Sequence, residues 1–238
     1  MSARASTATG SLCEELRAGS EPIWASLHAH PFIRELAAGT LPLEKFRFYL
    51  EQNLLYLPEY ARVIALGAAR STDVEELARF SLALSNIVDN EIPKDRELLA
   101  QVIELGAEPR GGSVAVAPGT LAYSAYLLAT AYGAGPLEIM TAIMPCAWSY
   151  GEIASRLRGE VRPHPVYSSW VGFFDSEEYR ELIADMRAQL DAMGAGADPA
   201  RQARLREIFD MSGRLERGFW DMSYEMTQWP DVSPSESR

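Results

Sequence analysis

A glutamate stands where a core residue belongs in the C-terminal part of this sequence. At about 100° per residue, Leu205, Ile208, Phe209, Phe219 and Trp220 share one helical face, with Glu207, Asp210, Arg214, Arg217 and Asp221 opposite. Glu216 falls in the middle of the apolar face, with Ser212 and Ser223 above and below it. Burial disfavours a charged carboxylate, so its pKa should rise unless a charge partner or several donors offset the desolvation. Such a group suits a general acid or base near neutral pH. The competing reading is a structural carboxylate tied to an arginine or a helix end.

Two further segments carry polar groups on apolar faces. The segment 136–158 is apolar nearly all round, with Glu138 and Glu152 its only charges before Arg156. Within it Pro145 removes the helical partner of the Thr141 carbonyl, Cys146 follows, and Tyr150 lies one turn further on the same face. A cysteine beside a helix distortion is a candidate nucleophile; the alternative is an inert thiol filling the core. In 43–70, Phe46, Tyr49, Leu50, Tyr56, Leu57 and Tyr60 form a stripe with Asn53 at its centre. The stripe reads either as core or as the wall of a polar-tipped pocket, since buried phenols need partners. Glu91 also falls on an apolar face, with Leu77, Leu84 and Val88, and reads as a structural carboxylate near the Pro93 kink.

The three histidines, His28, His30 and His164, show no Glu-x-x-His spacing, and no glycine-rich phosphate loop or zinc signature occurs. The expected chemistry is therefore organic and free of cofactor or metal.

The elements that must position these residues read as helices throughout, near 11–28, 32–38, 43–70, 72–105, 120–132, 136–158, 176–192 and 199–228. Thr72 with Glu75 resembles a capping box, and Gly39, Gly106 and Gly194 stand at expected C-terminal stops. Pro58, Pro93 and Pro145 should kink or break their helices. The one alternating stretch, 113–117, reads as a loop because Gly111, Gly112 and Pro118 flank it. The connections 107–119, 159–166 and 193–198 are too short for domain linkers, so one all-α domain over 11–229 is expected, with 1–10 and 230–238 disordered.

The 238 residues carry 33 acidic against 22 basic side chains, a net charge of −11 with no basic cluster, which argues against a nucleic-acid partner. Cys13 and Cys146 are the only cysteines, which excludes a disulfide framework and suits a reducing cytosol; Cys13, near the N-terminus, looks incidental. The polar start MSARASTATG does not read as a signal peptide, so none is expected, and no apolar run is long enough to span a membrane.

The sequence resembles the TenA (thiaminase II) family. The segments that carry the resemblance are HPFIRELAAGTLPLEKFRFYLEQNLLYL (30–57), LAYSAYLLATAYGAGPLEIMTAIMPCAWSYGE (121–152), HPVYSSWVGFF (164–174) and LERGFWDMSYEM (215–226). The resemblance implies a haem-oxygenase-like helical bundle, usually a homotetramer, that hydrolyses an aminomethyl-aminopyrimidine to the hydroxymethylpyrimidine and ammonia in thiamin salvage. It implies that Cys146 adds to the pyrimidine ring, Tyr150 accompanies it, Glu216 shuttles the leaving group's proton, and Tyr56 and Tyr123 contact the ring. Two positions depart from the pattern. Asn53 stands where an aspartate usually hydrogen-bonds the pyrimidine, and Phe174 where a tyrosine is common. These departures leave open a non-catalytic pyrimidine-binding homologue, or an enzyme of the same fold acting on another heterocycle.

Overall fold

Helix starts coincide with side chains able to accept from the unpaired amides of a first turn. Ser11, Asp73, Ser176 and Asp198 each accept a backbone N–H two or three residues into the helix that follows. In this computed structural model, which describes residues 10–108 and 114–230, eleven α-helices form among the described residues. They are α1 Leu12–Gly19, α2 Glu21–His28, α3 Pro31–Ala38, α4 Leu43–Arg70, α5 Val74–Ser85, α6 Ile92–Glu104, α7 Pro118–Gly133, α8 Pro136–Leu157, α9 Tyr167–Phe174, α10 Glu177–Gly194 and α11 Pro199–Glu225. A π-helical segment, Asn86–Glu91, joins α5 to α6. Among the described residues there is no strand, as expected, and 114–117 is irregular while Ser113 lies outside them. Of the ends expected to be disordered, 1–10 and 230–238, only Gly10 and Pro230 lie within the described residues.

Four local expectations differ from what forms. The stretch 11–28 is two helices, because Pro22 in the first turn of α2 has no N–H to continue α1. The cap of α5 is Asp73, whose side chain accepts from the Glu76 amide, while Glu76 Oε2 accepts from the Thr72 amide at 3.0 Å. The stretch 72–105 is not one helix. Pro93 cannot donate, and the chain widens before it so that the Ile92 N–H bonds the Ile87 carbonyl, five residues back. Finally, α9 was hidden by the prolines before it. His164 Nδ1 accepts the Val166 and Tyr167 amides at 3.3 Å each and so starts a helix whose Tyr167, Trp170, Val171 and Phe174 are buried.

Pro58 and Pro145 lie inside α4 and α8 without ending them. The glycine stops hold at Gly39 and Gly106, both with positive φ. Cys13 is buried, with its Sγ bonded to the Arg187 carbonyl at 3.2 Å, rather than sitting in a loose end.

Helix α4 is the hub, packing against α5, α6, α7, α8 and α11, and α8 packs in turn against α7, α9, α10 and α11. At Gly67 of α4 the Phe80 ring of α5 occupies the space that a Cβ would need. The core joins residues from Cys13 to Met222 and is rich in aromatics, with Trp24, Trp170, Trp220, Tyr49 and Phe46 fully enclosed. Among the described residues, no helix is long and apolar enough to cross a membrane.

Candidate functional site

Cys146 sits on α8 where side-chain hydroxyls from three neighbouring helices reach its backbone. Ser212 of α11 donates to the Ala142 carbonyl at 2.6 Å, Tyr60 of α4 to Ile143 at 2.9 Å, and Tyr179 of α10 to Ala147 at 3.1 Å. These bonds pin the turn carrying Cys146 beside Pro145, where the regular ladder is interrupted. Residues around it are buried, but Cys146 keeps accessible surface, which opens into a cavity of about 20 Å³. Tyr60, Glu91, Tyr150, Tyr179, Asn86 and Met186 are among its walls. That volume holds about one water, so a heteroaromatic ring enters only if the wall moves. Asn86 and Tyr179 also line an open surface groove of about 460 Å³ between the π-helical segment and the α9–α10 junction, which puts that groove directly outside the cavity.

The other expected residues gather around the thiol in layers. Tyr56 stacks on Tyr123 with ring centroids 5.0 Å apart. The Tyr123 hydroxyl lies 3.1 Å from the Ser212 hydroxyl, which in turn donates to the Ala142 carbonyl. Glu216 lies one turn along α11 from Ser212 and is 1% exposed. Tyr150 lines the cavity and receives the Tyr49 hydroxyl at 3.3 Å. Phe174 packs against Tyr150 at 4.8 Å, behind the cavity wall. Asn53 is not at the cavity wall either; it donates from Nδ2 to Asp95 of α6 at 2.7 Å.

This is an acidic, dry environment. Burial pushes Glu216 up to about 8, against the pull of donors on Tyr123 and Cys146. Burial first, then the charges of Glu216 and Glu91, hold the Cys146 thiol well above its ordinary range; the nearby Tyr56 hydroxyl acts the other way. Burial and the charges of Asp95 and Glu216 raise Glu91 well above the carboxylate range. Burial raises all three carboxyl groups, and Glu91 is raised further by the charges of the other two, so the site keeps protons to donate near pH 7. Among the described residues, no group of three or more His, Cys, Asp or Glu is arranged to hold a metal.

The TENA/THI-4/PQQC family profile matches residues 17–226. The chain belongs to the TENA/THI-4/PQQC family. An aminopyrimidine aminohydrolase from Halalkalibacterium halodurans is 34% identical over 212 residues, covering 88% of this chain and 94% of the relative. A solved TenA homologue from P. horikoshii OT3 superposes with a TM-score of 0.79 at 30% identity, covering 91% of this chain and 99% of that one. A domain of unknown function from Shewanella denitrificans, described as having a haem-oxygenase-like fold, gives 0.66 at 14% identity, covers 92% of this chain and 94% of that one, and shares the fold alone.

In this family member three residues at the site were not singled out from the sequence as functional. Glu91, read as a structural carboxylate, stands at the end of the π-helical segment and lines the cavity. Asp95 is 1% exposed and shares a buried face with Leu98 and Val102 at i, i+3 and i+7. That pattern is the signal that singled out Glu216, and it would have found Asp95 as well. Tyr179 heads the buried stripe Tyr179, Ile183, Met186 and Leu190 and packs edge-on against Phe174 at 5.1 Å. Its hydroxyl donates to the Ala147 carbonyl at 3.1 Å.

Proposed function

We propose that the chain is an aminopyrimidine aminohydrolase of thiamin salvage, with Cys146 as nucleophile and Glu216 as proton shuttle. The observation that carries this is the placement of a thiol on a buried cavity beside a carboxyl group that burial keeps protonated at neutral pH.

An amine leaves an exocyclic methylene readily only after the ring is activated. Cys146 Sγ forms a C–S bond to a ring carbon, and the thiol proton passes to a ring nitrogen. The ring electrons then expel the amine as its C–N bond breaks, and Glu216 supplies the proton that lets it leave as ammonia. The Glu216 carboxylate next takes a proton from water as the oxygen bonds to the methylene. Loss of the C–S bond, with the ring proton returning to sulfur, releases the hydroxymethylpyrimidine. Once the cavity wall has moved to admit the ring, Tyr56, Tyr123 and Tyr150 flank it, with Phe174 supporting Tyr150 and Asn53 hydrogen-bonding its edge. No cofactor is required.

Ammonia release from 4-amino-5-aminomethyl-2-methylpyrimidine by the wild-type chain, followed in a coupled assay, is the direct test. Turnover is expected. No release would sink the hydrolase reading, and retained binding of the pyrimidine without release would make the chain a pyrimidine binder. The same reading carries a homo-oligomer, a tetramer by resemblance to the family. Light scattering on the eluted protein should then give four times the mass of one chain, and a monomer mass would remove that element.

A further inference from the structure

Asn53 and Asp95 form a buried pair with a built-in direction. Both are nearly inaccessible, 3% and 1% exposed, and joined by a 2.7 Å bond from Asn53 Nδ2 to Asp95 Oδ2. An ionised carboxylate only accepts, so it must meet the amine end of the amide and not the carbonyl end. The amide orientation is thereby set by α6. On α4, Asn53 lies between Tyr49 and Tyr56 in the stripe that continues to Tyr60. Tyr49 reaches Tyr150, and both Tyr60 and Tyr150 line the cavity, so Asn53 lies on the side of α4 turned towards the site, behind the present wall and within reach of a ring once that wall moves.

We infer that Asp95 is a positioning residue for ring specificity: by holding the Asn53 amine, it leaves the Asn53 carbonyl as the acceptor offered to the ring. A pyrimidine bearing an amino group meets that acceptor with an N–H. Its oxo counterpart meets it with a carbonyl, lone pairs against lone pairs, and is rejected. This inference rests on the pyrimidine reading above but not on turnover.

The cost of the arrangement supports a functional purpose. Burying a carboxylate with one amide for a partner is expensive, and an apolar pair of similar size would pack more cheaply. Burial lifts Asp95 to about 7, and the Asn53 amine draws it back. The other titratable groups facing it are Tyr49 on α4 and Glu91 on the π-helical segment, both of which its charge pushes up. At pH 8 the carboxylate is mostly ionised and the amide held in one orientation. Asn53 also explains itself in this setting: an aspartate at 53 would place two carboxylates at hydrogen-bond distance.

The test is calorimetric binding at pH 8 of 4-amino-5-hydroxymethyl-2-methylpyrimidine and its 4-oxo counterpart. The proteins compared are the wild type, Asp95→Asn, and the double variant Asn53→Asp/Asp95→Asn. Wild type is expected to prefer the amino ring by at least about tenfold. In Asp95→Asn two amides can pair either way round, and the preference should fall by about tenfold. A purely structural role would lower the melting temperature or the binding-competent fraction but leave the ratio of the two Kd values unchanged. That unchanged ratio overturns the inference. The double variant exchanges the two groups and presents an acceptor-only carboxylate to the ring, so the preference should return. If Asp95→Asn does not fold, the double variant decides alone: loss of the preference there overturns the inference. Binding of neither ring by the wild type would overturn this inference and the pyrimidine reading together, whereas failure of ammonia release alone would leave it standing.

Discussion

Replacing Cys146 with serine is expected to lower kcat/KM for ammonia release by at least about a thousandfold, the order of loss when a covalent nucleophile is removed. The change keeps the shape of a side chain that is only partly buried, so the melting temperature should hardly move. The thiol is not a ready thiolate in the free protein. Burial and the charges of Glu216 and Glu91 keep it protonated, unlike the electropositive settings that activate most catalytic cysteines. Alkylation of the free protein by iodoacetamide at pH 7 should therefore be slow, although Cys146 opens to a cavity. Activation then comes with the substrate, when the ring nitrogen takes the proton. Undiminished turnover in Cys146→Ser would discard the covalent mechanism while leaving the activity itself in place.

Glu216→Gln should lower kcat by about 10²- to 10⁴-fold, the usual range for a positioned acid or base. It should also make the protein more stable at alkaline pH, with a definite sign. The ordinary value for this group is 4.5, and in the folded chain it is about 8. Between those values the folded state binds more protons than the unfolded state, so stability falls as pH rises. The contribution is fully present below about 4.5 and gone above about 8, at about 1.4 kcal/mol per pH unit in between. Glutamine has no such titration. The melting temperature of the variant should thus gain on wild type from pH 5 to pH 8. The wild-type slope should flatten without vanishing, since Asp95 and Glu91 are raised in the same way. Parallel curves for the two proteins would mean that Glu216 is not held protonated by the fold.

Glu216 and Cys146 could be read from the sequence because the signal for each is local. A helix repeats about every 3.6 residues, so a charge among Phe209, Phe219 and Trp220 announces a buried carboxylate before any tertiary contact is known. Asp95 carried the same local signal beside Leu98 and Val102. What it bonds to did not follow, because the meeting of α6 with α4 at Asn53 joins positions 42 residues apart. Helix α9 was missed although its four buried residues have helical spacing, since Pro163 and Pro165 hide a start that depends on the His164 ring.

The amino-acid sequence by itself determined the all-α class, the long helices α4, α8 and α11, and which of their faces turn inward. These follow from periodicity, caps and the exclusion of uncompensated charge from a core, which act over a few turns of chain. Only the tertiary structure decided which inward faces meet. It put Tyr179 in the wall beside Phe174, placed Glu91, at the end of a π-helical segment, on the Cys146 cavity, and gave Asn53 a carboxylate partner from another helix. Periodicity specifies that a face is buried but carries no information about the side chain on the other side of the interface, and the chemistry of this site lies in those pairings.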